Sequence, residues 1–133
     1  MKIIRKNNGS VLLIVVFAIV LMSTITVGIL QMNAEEIQLM QNQIWAAEAL
    51  ATAEAGLNDA FARIRSGSDP NIAGESFNGG SYTVTAGTSA VSDLLITSTG
   101  TTSHGFIAII EADITVGSNS PYVIRIDNLR INE

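Results

Sequence analysis

From Val11 to Leu30 the chain carries no charge, and only Ser23, Thr24, Thr26 and Gly28 interrupt a run of aliphatic and aromatic residues. At the standard rise a helix of that length spans roughly the 30 Å of a bilayer core. The run therefore predicts a membrane-crossing helix over 11–30. No breaker closes the pattern there: Gln31 to Arg65 is rich in Ala, Glu, Gln, Leu and Met, strong helix formers, and contains no proline. Ala46, Leu50, Ala53, Leu57, Phe61 and Ile64 recur at spacings of three and four and define one apolar stripe. The opposite stripe reads Glu48, Thr52, Asp59 and Arg63, with Asp59 placed one turn before Arg63 to pair with it. Arg63 and Arg65 in a last turn, Gly67 as a left-handed cap and Pro70 beyond form a stop signal. The pattern predicts a single helix over 10–66, about 80 Å from Ser10 to Arg65.

Beyond residue 66 the period changes from four to two. Tyr82, Val84 and Ala86 alternate with Ser81, Thr83 and Thr85, and Leu94 to Thr99 is a β-branched run between Asp93 and Gly100. Phe106, Ala108, Ile110, Ala112, Ile114 and Val116 mark one face of a longer strand; Glu111, Asp113 and Thr115 mark the other. A last strand sets Tyr122, Ile124 and Ile126 opposite Val123, Arg125 and Asp127. Turn-forming connections at 78–80, 87–89, 100–105 and 117–121 have hairpin lengths, so an antiparallel meander over 67–133 is expected. A small sheet needs a cover for its apolar face, and the Ala46-to-Ile64 stripe supplies one. The fold class expected is α+β, one long N-terminal helix packed by its second half on a small antiparallel sheet.

Composition narrows the function. The 133 residues suffice for one modest domain besides the apolar run. The net charge of -5 hides an asymmetry: Lys2, Arg5 and Lys6 precede the run, and only Arg63, Arg65, Arg125 and Arg130 follow it. A nucleic-acid surface needs clustered cations to release phosphate counterions, so this chain alone is not expected to bind one. By the positive-inside rule the leader stays in the cytoplasm, which places Glu35, Glu36 and the C-terminal part on the far side. The same leader suits a secretory signal, but the apolar run exceeds the usual length of about 7 to 15 residues, and no clear small-x-small cleavage site follows.

Candidate chemistry is sparse. With no cysteine, disulfides, thiolate metal sites and thiol catalysis are excluded. His104 is the single histidine, in a Gly, Ser and Thr-rich turn, and one imidazole builds neither a His-rich metal site nor, at this spacing, a triad. Glu111 and Asp113 read as a solvated strand face. Trp45 and Met40 read as contact or membrane-boundary residues, and Asn71, Asn78, Asp93 and Asn119 as turn residues supporting backbone. No cofactor, metal or catalytic role is expected.

The combination carries a family resemblance. A short basic leader ending in Gly9, an apolar run directly after it, one very long helix and a small antiparallel sheet resemble a type IV pilin or type II secretion pseudopilin precursor. The segment AAEALATAEAGLNDAFARI, 46–64, is similar more narrowly to PilX-type minor pilins, as is ITSTG at 96–100 before a long strand. The resemblance covers nearly the whole chain; the leader and apolar run are specific, the β region much less so. It implies a pilin-like fold and a division into a leader peptide, 1–9, a helix, 10–66, and a β domain, 67–133. It further implies cleavage by prepilin peptidase between Gly9 and Ser10, and methylation of the new Ser10 amine. Membrane storage and filament-core packing would fall to Val11, Leu12, Leu13, Ile14, Phe17, Leu21 and Leu30. The implied partners are other pilins or pseudopilins, the peptidase and an inner-membrane assembly platform. The implied location is the inner membrane, then a cell-surface pilus or periplasmic pseudopilus. Gly9, lacking a side chain, admits close approach of a catalytic site, or simply loosens the leader. Gly28 suits local unwinding on assembly or close packing against a neighbouring helix.

Two positions depart from the family. Ile14 stands fifth in the expected mature chain, where most pilins carry the glutamate that neutralises a neighbour's N-terminal amine; Ser10 stands first, where most carry an aromatic residue. An unpaired buried charge is costly, so a subunit without that glutamate fits best at a filament tip, as in the tip pseudopilin of type II secretion. A permissive substitution in a rare subunit explains the same residue. The expected function is a minor pilin-like structural subunit at the tip or in assembly initiation. A minor pseudopilin of type II secretion is the nearest rival, and an uncleaved single-pass anchor with a small extracytoplasmic binding domain is another.

Overall fold

The computed structural model describes residues 8–90 and 92–132. Its first element is a helix, α1, Asn8–Arg65, followed by five strands: β1 (Ile72–Phe77), β2 (Gly80–Gly87), β3 (Leu94–Thr101), β4 (Ile107–Val116) and β5 (Ile124–Asn132). The strands form one antiparallel sheet in sequence order, a meander. The α+β layout expected from the sequence, a long N-terminal helix against a small antiparallel sheet, is therefore present. The chain divides into two compact units, Met1–Gln41 and Asn42–Glu133. The second half of α1 thus shares a unit with the sheet.

The helix ends as its sequence dictates. Gly67 adopts φ 74°, its N–H donates to the Ile64 carbonyl at 2.9 Å, and the Ser68 N–H donates to the Arg63 carbonyl at 2.8 Å. These are the paired bonds of a Schellman cap, and a left-handed residue there favours glycine. At the other end α1 takes in Asn8 and Gly9, two residues before the expected start.

The sheet contains one strand the alternation did not predict. In β1 only Ile72 is buried, and a bulge between Ile72 and Glu75 breaks its register with β2, so no period-two signal exists to read. Its existence follows from the turn: Asn78 and Gly79 both take positive φ, 47° and 83°, the two-residue geometry that matches strand twist.

The core lies between the second half of α1 and the sheet. Ala49, Ala53, Leu57, Ala60 and Ile64 from the helix meet Ile72, Tyr82, Val84, Ile96, Ala108, Ile110, Ala112 and Ile114. Of the expected packing stripe, Ala53, Leu57 and Ile64 are buried; Leu50 and Phe61 are half-buried on its flanks, and Ala46 is half-buried one turn earlier. The most deeply covered line is instead Ala49, Thr52, Ala53, Gly56 and Ala60. Thr52, assigned from sequence to the solvent stripe, is 1% exposed, and its hydroxyl is satisfied by the Glu48 carbonyl at 2.8 Å.

Small residues occupy this line because α1 and β3 approach at backbone distance. The Ser98 hydroxyl donates to the Ala53 carbonyl at 2.7 Å. A Cβ on Gly56 would lie 2.5 Å from Ser98 Oγ and 2.8 Å from Tyr82 Cδ2. A Cβ on Gly100 would overlap the backbone of Ala49 and Ala53, and would lie 2.9 Å from the Thr52 carbonyl carbon. The large side chains chosen by periodicity are excluded from the contact line by this geometry and pack beside it.

Replacing Gly100 with alanine forces helix and strand apart and is expected to destabilise the folded unit by about 3 kcal/mol or more, the upper end for overpacked cores. Gly87→Ala, where an added Cβ meets nothing within 4 Å, should stay within about 0.5 kcal/mol. Denaturant unfolding of the full chain in detergent, followed by circular dichroism, compares the two.

Candidate membrane helix and interaction surfaces

In the first unit α1 presents apolar side chains on every side. Fifteen large apolar residues from Val11 to Leu30 are exposed, among them Val11, Leu12, Leu13, Ile14, Phe17, Leu21 and Leu30, the positions expected to meet lipid or a filament core. Withdrawing a large apolar side chain from water contributes roughly 1.5–3 kcal/mol, so the set represents tens of kcal/mol that this helix cannot recover alone. The helix is long and apolar enough to cross a membrane. The hydroxyls within it are satisfied locally: Ser23 donates to Ile19, Thr24 to Leu21 and Thr26 to Met22 carbonyls, each at 2.8 Å. The helix continues unbroken through Gly28.

Gly9 and Ser10 lie in the first turns of α1; both are exposed, and nothing stands within 4 Å of a Cβ added to Gly9. The leader cations Lys2, Arg5 and Lys6 lie outside the described residues.

In the second unit two polar arrangements and one aromatic cluster tie the sheet to the helix. Arg63 bonds both Asp59 and Glu75 at 3.3 Å, clasping β1 to the helix end, and the Asp59–Arg63 pair is the one expected from their spacing. The Tyr82 hydroxyl donates to Asp59 at 3.3 Å. Burial, with the charges of Asp59 and Glu75 adding to it, pushes the Tyr82 phenol above its ordinary value. At the hairpin joining β3 and β4, His104 stacks on Trp45 at 4.4 Å between ring centroids, with Phe106 tilted against the indole at 5.5 Å. Trp45 is thus half-buried under a hairpin, and the exposed His104 has an aromatic partner that its turn-rich sequence gave no sign of.

The outer face of the sheet corrects a second expectation. Asp113 is not solvated: its side chain is 4% exposed, accepting from Ser89 at 2.6 Å and from Arg130 at 3.3 Å, while Arg130 also reaches Glu111 at 3.2 Å. The buried carboxylate is stabilised by that charge and those bonds. Asn71 does support backbone as expected, its Oδ1 accepting from the Ala86 N–H at 2.9 Å.

Strand β5 extends five residues beyond its expected end at Asp127, because a bulge lies within it. Asp113 pairs with Asn128 and Ile114 with Ile126, so Asp127 is extra. Leu129 and Ile131 therefore return to the face of Ile124 and Ile126. The signal was present in sequence as an apolar spacing that steps from two to three between Ile126 and Leu129. The displaced Asp127 accepts from Thr115 at 2.6 Å and pairs with Arg125 at 2.7 Å.

Among the described residues no group of three His, Asp or Glu side chains is placed to hold a metal ion. Comparison with protein-family models, with curated proteins and with solved structures finds no match.

The Thr115 hydroxyl, joined by Arg125, holds the Asp127 carboxyl below its ordinary value against the opposing effect of desolvation. A depressed folded-state value means a stabilisation that is present above the unfolded value and is lost as pH falls through the folded one. Thr115→Val should raise the Asp127 midpoint toward the ordinary carboxylate value and move that loss to higher pH. Carboxyl-carbon NMR titration of the full chain in micelles reads the shift directly.

Proposed function

We propose that this chain is a minor pilin-like structural subunit, stored in a membrane through residues 11–30 and assembled into a filament after cleavage between Gly9 and Ser10. The observation that carries this reading is one unbroken helix with two fates: among the described residues nothing covers the apolar surface of its first part, and its second part is the core element of a small sheet domain. Such a helix serves two apolar environments in turn. Lipid covers the first part before assembly, and neighbouring subunits' helices cover it afterwards.

Ile14 gives the proposed position in the filament. Cleavage leaves an ammonium on Ser10, and in a core of apolar helices an unpaired charge costs several kcal/mol. A subunit with isoleucine at this position offers no carboxylate to the amine of a neighbour above it, and at the tip no such neighbour exists. The proposed role is therefore tip placement or initiation, in a type IV pilus or in the related pseudopilus.

A second reading, an uncleaved single-pass anchor bearing a small binding domain, draws on the helical conformation of Asn8, Gly9 and Ser10. A peptidase would have to unwind that turn.

Mass spectrometry of the mature N-terminus, from the native envelope with and without active prepilin peptidase, separates the two. The pilin reading expects a chain beginning at methylated Ser10 only when the peptidase is active, and a Gly9→Val variant that stays uncut. A chain retaining Met1 under both conditions overturns it in favour of the anchor. Label distributed evenly along filament shafts, instead of at their ends, overturns the tip assignment alone.

A further inference from the structure

The sheet has two edges, and they differ. Both edge strands carry a bulge, but β1 has only four positions in register with its neighbour and the positive φ of Gly74 (86°) within it, whereas β5 keeps eight positions in register on either side of Asp127. On β5 every residue from Arg125 to Asn132 is exposed. Its helix-side row, Ile126, Leu129 and Ile131, remains about half exposed at 50%, 49% and 49%, although the β4 residues paired with them, Ile114, Ala112 and Ile110, are core.

The sequence of this edge, Ile124-Arg125-Ile126-Asp127-Asn128-Leu129-Arg130-Ile131, is a palindrome in chemical type. An antiparallel strand laid against its own copy, about a two-fold axis between Asp127 and Asn128, meets like with like. On the helix side Ile124 faces Ile131 and Ile126 faces Leu129, so the half-exposed row becomes continuous across the junction. On the outer side Asp127 faces Asn128, whose amide donates to carboxylates, and lies diagonal to the second copy's Arg130, within reach of so long a side chain. That places each Asp127 between its own Arg125 and the second copy's Arg130. The two arginines that also come opposite each other, Arg125 and Arg130, already hold carboxylates, at 2.7 Å to Asp127 and at 3.2 and 3.3 Å to Glu111 and Asp113.

We propose that β5 is a self-complementary edge through which two copies of this chain pair as a symmetric, continuous sheet. Eight residues of strand make a contact only about 27 Å long and one strand wide. This falls short of the roughly 1,600 Å² of a stable complex. The pair is therefore weak in dilute solution and forms where copies are concentrated, in a shared membrane or between assembled subunits. The proposal does not rest on cleavage at Gly9, since β5 is the same in the cut and uncut chain.

The chain has no cysteine, which makes engineered cross-links unambiguous. Two differently tagged full-length copies are co-produced in membranes, one with Ile126→Cys and the other with Leu129→Cys, and oxidised with copper phenanthroline. Directly opposed strand positions bring Cβ atoms close to disulfide distance, so this pair should yield about tenfold more mixed dimer than Ile124→Cys with Ile126→Cys, which the register sets well apart along the strand. Leu129→Lys in both copies should abolish cross-linking between Ile124→Cys and Ile131→Cys while leaving the circular dichroism spectrum unchanged. Equal yields from matched and mismatched pairs would mean that the membrane helices alone bring copies together, and would overturn the proposal. So would absence of dimer, or persistence of the cross-link in the lysine variant.

Discussion

The folded unit depends on how closely α1 lies on β3. Where Ala49, Thr52, Ala53 and Gly56 cross Ser98 and Gly100, the two backbones nearly touch, and one side-chain hydroxyl bridges them by donating to the Ala53 carbonyl. That carbonyl also lies within the helix's own hydrogen-bond ladder, so the Ser98 bond uses its second lone pair at no cost to the helix. The consequence spreads outward. With small residues on the contact line, Leu57 and Ile64 interdigitate with sheet residues further along, and Leu50 and Phe61 close the sides. In a domain this small, dense packing at one crossing compensates for the modest number of large buried side chains.

The two faces of the sheet follow different physics. The helix-side face is apolar and excludes water. The outer face is held by charge: Asp113 is buried beneath Arg130 and anchors the segment at Ser89, while Glu111 shares the same guanidinium. Removing any one partner would leave the buried carboxylate short of compensation, which is why an acid on the outward side of β4 does not behave as a surface group. The β5 bulge belongs to the same arrangement, since it turns Asp127 toward Thr115 and Arg125 while returning Leu129 and Ile131 to the apolar side.

The two compact units make opposite demands on solvent. The second unit buries the apolar line of its helix against the sheet; in the first, the large apolar side chains from Val11 to Leu30 are exposed, with nothing among the described residues covering them. An assembly subunit is the proposal that uses this imbalance most fully, because a helix partly without cover is what lipid storage and helix-in-core packing both require. Ile14 belongs to that exposed surface.

Sequence alone determined the elements whose signal is local. The apolar run, the helix stop at Arg63, Arg65 and Gly67, the Asp59–Arg63 pair, the alternating inner face of β4 and the meander order all rest on periodicity, capping or hairpin length, which neighbouring residues fix among themselves. Tertiary structure decided what depends on distance between elements. Which helix positions may be large was set by the approach to Gly100, not by the apolar pattern, so Thr52 went inside and Phe61 to the flank. The burial of Asp113 and the stacking of His104 on Trp45 were settled by partners 15 to 59 residues away in the chain, which no local window contains, and the exposure of the β5 row by its place at the sheet edge. Strand β1 lies between the two cases: its turn was legible at Asn78 and Gly79, but its pairing came from the sheet beside it, because a strand with one buried residue has no pattern of its own.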